Sequence, residues 1–301
     1  MNEFTSFDLS TLDTRTAHGL LLGAVSPRPI ALVSTIDKAG RPNLAPFSYF
    51  NVFSTRPPLC IFSPNRRGTD GTTKHTHDNV LDVPQVVIHL VDYASVHATS
   101  LASCDFDRGV DEFAKAGFTA IPSDVVAPPR ALECPVALEC QVREVISLGD
   151  EGGAGNLVMC EVLVAHVANR VLNERGLPDP ELLDLVGRCG GNSYVRASGD
   201  ALFTIEKPRA TIGMGFDALP EDVRKSSVLT GNQLAQLAGT DHLPDETSVN
   251  EYKLLELADL FIELEGQGTA LERALHKHAA QRIEAGEIEE AWMTLRSFNL
   301  G

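Results

Sequence analysis

Residues 27–76 read PRPIALVSTIDKAGRPNLAPFSYFNVFSTRPPLCIFSPNRRGTDGTTKHT, and this stretch carries most of what the sequence indicates about the fold. Apolar and β-branched residues dominate three runs within it, at 30–36, 43–54 and 59–63. Clusters of Asp, Gly and Pro separate these runs, as they do between strands. The pattern therefore predicts a β-hairpin followed by a third strand.

Regions on either side of this stretch extend the pattern. A short helix ending at Gly23 is predicted before it, by the three- and four-residue spacing of apolar residues. Strands joined mostly by hairpins, with few helices between them, favour an antiparallel barrel over a doubly wound sheet. After the stretch we predict helices at 74–81, 94–103 and 111–116 and strands at 86–91, 131–146 and 157–167.

The C-terminal part of the chain has a different, helical character. Two capping-box patterns, Ser248 with Glu251 and Thr269 with Glu272, predict helix starts. Apolar residues recur at helical spacing after each of them. We therefore expect a mainly β fold with some α structure, an antiparallel split β-barrel over residues 1–205, followed by a helical extension. The extension is predicted to cover residues 206–301, with Gly266 and Gly286 separating its helices.

Charge and composition exclude several classes of function. The net charge of −16 argues against nucleic-acid binding, because phosphate contacts need Lys and Arg. Residues 56–77 are the exception, with four Lys/Arg against one Asp, which suggests a bound anion. The N-terminal residues lack the pattern of a secretory signal, no apolar run is long enough to cross a membrane, and the six cysteines are scattered. These features predict a soluble cytoplasmic protein without a metal site.

Four ordered motifs resemble those of the flavin reductase-like, FMN-binding split-barrel family. The family pattern is approximately PRPIxxVST, DxxGxxNLAPFSxF, PPxxxFS and KDT, and it corresponds here to residues 27–35, 37–50, 57–63 and 74–76. The resemblance covers roughly residues 15–205. It implies a split barrel that binds FMN non-covalently and forms a two-fold homodimer.

The resemblance also implies a set of FMN-binding residues. FMN needs a flat slot for its ring and cations with hydroxyls for its phosphate. By the family pattern the strand that lines the ring contributes Ser48, Tyr49, Phe50 and Asn51. The phosphate would be held by Ser63, Arg67, Lys74 and Thr76, the last two near a helix start, with Arg66 as an alternative to Arg67. His75 stands where the family commonly has an acidic residue.

Two histidines and one acidic loop lie outside the four motifs. His89 lies on a predicted buried strand, where a histidine is more often a core residue than a catalyst, and the role of His166 is open. A carboxylate-rich loop is interpreted as a solvated turn, with substrate gating as an alternative; it contains Asp105, Asp107, Asp111 and Glu112.

Flavin would supply the redox chemistry, so no catalytic acid or base has to be found in the chain. The leading hypothesis is an oxidoreductase that passes electrons from NADH or NADPH through FMN to an unidentified acceptor. An FMN carrier without a nicotinamide site is one alternative, and a reductase that supplies reduced FMN to a separate monooxygenase is another. An interaction protein built on the helical extension is a third. The extension itself is either a lid or a dimer interface.

Overall fold

A computed structural model of the protein describes residues 3–205 and 212–298. The chain divides into two compact units, Met1–Phe203 and Thr204–Gly301. All strands found in the described ranges belong to the first unit. Each unit also has a buried apolar cluster formed by its own residues.

The first unit is built mainly from antiparallel strands. In chain order they are β1 (Arg28–Pro29), β2 (Ala31–Ile36), β3 (Pro42–Phe47), β4 (Phe50–Thr55), β5 (Pro58–Phe62), β6 (Gln85–Leu90), β7 (Ala120–Ile121), β8 (Arg130–Ala131), β9 (Val136–Ser147), β10 (Asn156–Val167), β11 (Val186–Arg188) and β12 (Tyr194–Arg196). Seven of them form one sheet in the order β3-β2-β6-β9-β10-β5-β4. The smaller sheets have the orders β1-β11-β12 and β7-β8.

The large sheet curls because its two edge strands are neighbours in the chain. Only Ser48 and Tyr49 connect β3 to β4, so the end of one edge strand lies within roughly 11 Å of the start of the other. The carbonyl oxygen of Tyr49 also accepts a hydrogen bond of 2.9 Å from the amide of Ser63, next to β5. The predicted antiparallel barrel is therefore confirmed.

Strand β2 is covered by apolar residues on both sides. Ala31 and Val33 belong to a cluster that includes Phe62, whereas Leu32 belongs to a second cluster that includes Leu44. A strand that is buried on both faces has a continuous apolar run in its sequence, because neither face needs polar residues. This explains why residues 30–36 show little alternation.

Two predicted strands are each divided in the structure. The run 43–54 is not one strand, because the chain turns at Ser48 and Tyr49 and its halves pair at opposite edges of the sheet. The predicted strand 131–146 is interrupted before β9, where Pro135 lacks the amide hydrogen that a ladder requires.

Five short helices accompany the sheets of the first unit: α1 (Thr14–Ala24), α2 (His75–Asp82), α3 (Val96–Leu101), α4 (Glu112–Ala116) and α5 (Pro180–Leu183). The prediction that Gly23 ends the first helix is wrong, because α1 continues through Gly23 to Ala24. The residue that precedes α2 is Lys74, whose side chain makes no capping hydrogen bond. Lys74 is therefore available for other contacts.

The second unit is helical over its described residues, with α6 (Glu221–Arg224), α7 (Gly231–Ala238), α8 (Glu246–Glu256), α9 (Ala258–Glu263), α10 (Gly268–Glu284) and α11 (Ile288–Arg296). Trp292 and Leu237 lie in its apolar cluster. In the ranges 3–205 and 212–298, every helix is too short or too polar to cross a bilayer.

The predicted helix starts in the second unit are wrong in detail. The carboxylate of Asp245 caps α8 by accepting from the amides of Thr247 and Ser248, so Ser248 lies inside the helix. Helix α10 begins at Gly268, and Gln267 before it makes no side-chain cap. A complete capping box is instead formed at α7 by Thr230 and Gln233. The pattern predicts that a helix is nearby but does not fix which residue caps it.

Candidate functional site

A small pocket of about 100 Å³ lies between β3, the segment 67–76 and the segment 102–112. Four of the residues predicted to surround a phosphate line this pocket, namely Arg67, Lys74, His75 and Thr76. They come from one short stretch of chain. The structure therefore brings this part of the sequence-predicted group together.

Two positive side chains in the pocket converge on one carboxylate oxygen. Lys74 Nζ lies 2.8 Å from Asp105 Oδ1, and Arg67 Nε lies 3.3 Å from the same oxygen. The hydrogen bond from Lys74, together with the charges of Lys74 and Arg67, lowers the pKa of Asp105. The two cations thus already hold an oxyanion at a single point.

The loop that carries Arg67 is fixed from several directions. Arg67 donates hydrogen bonds to the carbonyl of Thr73 at 2.6 Å and to Thr72 Oγ1 at 3.1 Å. The glycine-rich turn between β9 and β10 packs against the same loop, and a Cβ on Gly152 would lie only 3.1 Å from the carbonyl oxygen of Arg67. Glycine at position 152 allows this close approach. The guanidinium of Arg67 is therefore held in place before any ligand arrives.

Thr76 and the start of α2 add further donors to the pocket. Thr76 is buried, and its hydroxyl oxygen accepts a hydrogen bond of 3.0 Å from Asn43 Nδ2. The hydroxyl hydrogen remains available to donate. The first amides of a helix also lack partners within the helix and favour anions. Cations, a hydroxyl and helix amides fit the requirements of a phosphate group.

His75, the residue that departs from the family pattern, lines the same pocket. Burial lowers its pKa, and the positive charges of Arg108 and Arg67 lower it further. His75 is therefore neutral near pH 7 and adds no charge to the pocket.

Ser63 and Arg66 lie outside the residues that line this pocket. The Ser63 hydroxyl donates to Asn65 Oδ1 at 2.9 Å and accepts from the amide of Asn156 at 3.0 Å. Arg66 donates to the carbonyl of Gly71 at 3.0 Å and to Asp150 at 3.2 Å. Both residues hold neighbouring loops together, and their contact with a phosphate stays a prediction.

A larger cleft of about 730 Å³ continues from the small pocket, with Pro46, Phe47 and Ser103 lining both. Its volume lies within the usual range for cofactor and small-molecule sites. Of the four residues predicted to line a flavin ring, Ser48 lies in the wall of this cleft. The other three are placed elsewhere: Tyr49 is partly exposed, Phe50 packs against the core of the sheet, and Asn51 is exposed and bonded to the amide of Val52.

The carboxylate-rich loop at 105–112 is not simply a solvated turn. Asp105 binds the two cations of the pocket, and Asp111 caps α4 through the amide of Phe113. Glu112 is buried, where it accepts a hydrogen bond of 3.1 Å from the amide of Leu44, and burial raises its pKa. The interpretation as a solvated turn was therefore wrong for Glu112, whose partner Leu44 is far away along the chain, whereas Asp105 and Asp111 are exposed.

His89 is a buried residue of β6 with both ring nitrogens bonded. Its Nε2 accepts from the amide of Ala131 at 2.8 Å, so Nδ1 carries the hydrogen and donates to the carbonyl of Leu32 at 2.8 Å. Burial lowers the pKa of His89 to about 4. His89 is thus a neutral structural residue that joins neighbouring segments.

His166 donates a hydrogen bond of 2.7 Å to Glu139, a fully buried carboxylate. Burial opposes the ionisation of Glu139, but hydrogen bonds from the amides of Asp124 and Val125 and from His166 outweigh it and lower its pKa. The ligand atoms of Asp124, Glu139 and His166 lie within 4.8 Å of one another. Arg130 lies 3.7 Å from both carboxylates, however, and already supplies positive charge there. We interpret this group as structural.

Comparison with known proteins identifies the family. The sequence profile of the flavin reductase-like domain matches residues 22–188, more than half of the chain. The chain belongs to this family. Its flavin reductase-like domain has the split-barrel fold of solved flavin reductases.

The chain is also similar to individual proteins over about two thirds of its length. An uncharacterized protein of Halalkalibacterium halodurans is 38% identical over 200 residues, which cover 66% of this chain and 94% of the relative. The structure of nitrilotriacetate monooxygenase component B from Bacillus cereus matches with a TM-score of 0.63 and 28% identity, covering 68% of this chain and 100% of that one. The 2-nitrobenzoate 2-nitroreductase of Pseudomonas fluorescens matches with a TM-score of 0.60 and 28% identity over 69% of this chain and 100% of its own.

Proposed function

We propose that this protein binds FMN and acts as an NAD(P)H-dependent flavin oxidoreductase. The observation that carries the proposal is the pair Arg67 and Lys74, which converge on one oxyanion beside a cleft of about 730 Å³. A site for FMN needs such a cationic corner next to space for a planar ring. The membership of the chain in the flavin reductase-like family supports the same function.

The residues of the chain would bind and orient the cofactor. Arg67, Lys74 and Thr76 would hold the phosphate, together with the first amides of α2. The cleft wall at Ser48 would face the ring, with Phe47 supplying apolar contact. FMN supplies hydride and electron transfer when bound, so the protein contributes binding, orientation and an accessible face for the reductant.

A titration of flavin-free protein tests the proposal. FMN and riboflavin differ by the phosphate, so FMN is expected to bind much more tightly, as followed by flavin fluorescence. Lys74→Met should weaken FMN binding about tenfold or more, because a hydrogen bond to a charged group is lost. Lys38→Met is the matched control, since Lys38 pairs with Asp82 at the far end of α2. Equal affinities for FMN and riboflavin, or an unchanged Lys74→Met variant, would contradict the phosphate site.

The electron donor is tested by anaerobic mixing of the FMN-loaded protein with NADH or NADPH. Bleaching of the flavin absorption supports the oxidoreductase, whereas no bleaching with either nucleotide favours an FMN carrier. The similarity to a monooxygenase component favours one further alternative, a reductase that supplies reduced FMN to a separate oxygenase. Retention of FMN during gel filtration would count against that alternative.

We also propose that the protein is a homodimer. Edge strand β4 exposes two large apolar side chains, Val52 and Phe53, at 61% and 65% of their surface. Large apolar side chains exposed on an edge strand are commonly covered by a second chain. Light scattering is expected to give twice the mass of one chain, and a monomer would refute this proposal.

We further propose that the two parts of the chain have different functions. We place flavin binding in residues 1–205 and treat residues 206–301 as a helical extension, a lid or a dimer interface, consistent with the two compact units. A truncated chain ending at residue 205 is then expected to bind FMN. We also propose that the protein is cytoplasmic; its six free cysteines support this, because the cytoplasm keeps thiols reduced.

A further inference from the structure

The cleft has an aromatic and cationic wall on the side of the small sheet β1-β11-β12. Arg188 on β11 and Tyr194 on β12 are directly paired across the strands. The guanidinium carbon of Arg188 lies 4.6 Å from the centre of the Tyr194 ring. Arg196 is placed similarly, 4.0 Å from the ring centre of Tyr93. All four side chains belong to residues that line the cleft.

The two arginines differ in how their charges are balanced. Arg196 makes a two-point contact with Asp184, at 2.6 and 2.7 Å, so its charge is neutralised within the chain. Arg188 donates to the carbonyl of Gly191 at 2.7 Å, and no carboxylate in the described parts of the chain lies within ion-pair distance of it. One positive charge is therefore left over in the cleft of a protein whose net charge is −16.

We infer that the cleft takes a substrate with a planar ring and a carboxylate, and that Arg188 binds the carboxylate. The inference rests on the proposed function and names the chemical class of the second substrate. A single unbalanced guanidinium matches one negative charge, whereas the pocket at Arg67 and Lys74 has two cations and suits a phosphate. The guanidinium also binds a carboxylate through two parallel hydrogen bonds. Tyr93 and Tyr194 remain 51% and 41% exposed beside the two arginines, and this aromatic surface can contact a ring.

Benzoate and benzamide are the probes that test this inference, because they have nearly the same shape and differ in charge. Binding is measured by calorimetry on both the FMN-free and the FMN-loaded protein. With the loaded protein, changes in the visible flavin spectrum give a second readout. Benzoate is expected to bind at least about tenfold more tightly than benzamide. Added chloride should weaken benzoate binding and leave benzamide binding unchanged.

Variants of Arg188 identify the group responsible. Arg188→Met is expected to remove the preference for benzoate, and Arg188→Lys to keep part of it, because lysine retains the charge but not the two-point geometry. Arg143→Met is the matched control, since Arg143 is an exposed arginine of β9 that pairs with Glu161. The control should keep the full preference.

The outcomes separate this inference from the proposed function. Equal affinities of the unaltered protein for benzoate and benzamide overturn it, and so does a full preference retained by Arg188→Met. Both measurements are possible without FMN. A protein that selects benzoate but binds no flavin would therefore contradict the proposed function alone. If Arg188→Met does not fold, the salt dependence of the unaltered protein and the Arg188→Lys variant decide the matter.

Discussion

Replacing Asp105 by asparagine is expected to tighten the binding of FMN. The Asp105 carboxylate occupies the point on which Lys74 and Arg67 converge, at 2.8 and 3.3 Å. A phosphate that binds the same two cations must first displace this carboxylate. Asparagine has nearly the same shape but no charge, so it competes less.

The expected gain in FMN affinity follows from the exposure of the ion pairs that Asp105 makes with Lys74 and Arg67. The Asp105 side chain is 63% exposed, and exposed ion pairs contribute only about 0.2–1 kcal/mol. Releasing the cations from this pair should therefore raise the affinity for FMN by up to about fivefold. The gain should shrink as salt is added, because screening weakens the original pair.

Fluorescence titrations of flavin-free protein measure the effect. Asp107→Asn is the control, because it removes the same charge from the same loop, and the exposed Asp107 side chain makes no hydrogen bond or ion pair with the described residues. Riboflavin, which has no phosphate, should bind both variants and the unaltered protein equally. Weaker FMN binding by Asp105→Asn would show that Asp105 supports the site, and the competition argument would have to be abandoned.

Three further predictions concern stability and the arginine loop. The free energy of unfolding should fall by about 1.5 kcal/mol between pH 6.5 and pH 5, because His89 has a folded pKa of about 4 and the unfolded chain takes up a proton at this histidine at higher pH than the folded protein does. Urea titrations check this, and a His89→Gln variant with the same pH slope would refute it. Gly152→Ala should lower the free energy of unfolding by about 1–3 kcal/mol and weaken FMN binding, because the added Cβ would press on the loop that carries Arg67. Gly19→Ala is the control; it has open space around it and should cause neither effect. Phe62→Ala should destabilise the barrel by about 3–5 kcal/mol in thermal or urea unfolding, and a loss below 1 kcal/mol would argue against a packed core at this position.

The sequence was sufficient to predict the barrel and to group four residues that line one pocket. The strands within residues 27–76 could be predicted because short turns join them. Four residues of the small pocket lie close together in space because they are close in sequence, namely Arg67, Lys74, His75 and Thr76. The turn at Ser48 was not predicted. It contains no Gly or Pro and arises because β3 and β4 pair with different strands.

Long-range pairs were the main features that sequence reasoning missed. Asp105 finds its partners at Lys74 and Arg67, and Glu112 finds its partner at the amide of Leu44. A carboxylate in a polar loop looks solvated unless the segment opposite it is known. Arg188 was missed for the same reason, because its significance depends on the cleft and on the absence of a neighbouring carboxylate within the described ranges.

The sheet that carries Arg188 and Tyr194 is separate from the sheet whose strand β3 lines the small pocket of Arg67 and Lys74. The hairpin β11–β12 contributes its side chains to one wall of the cleft and none to the small pocket. If the proposed function and the carboxylate site at Arg188 hold, substrate selectivity could therefore be changed through this hairpin without altering Arg67 or Lys74. A different hairpin grafted between Val186 and Arg196 would then be expected to change which substrates the cleft takes, while the residues proposed to hold FMN phosphate stay unchanged.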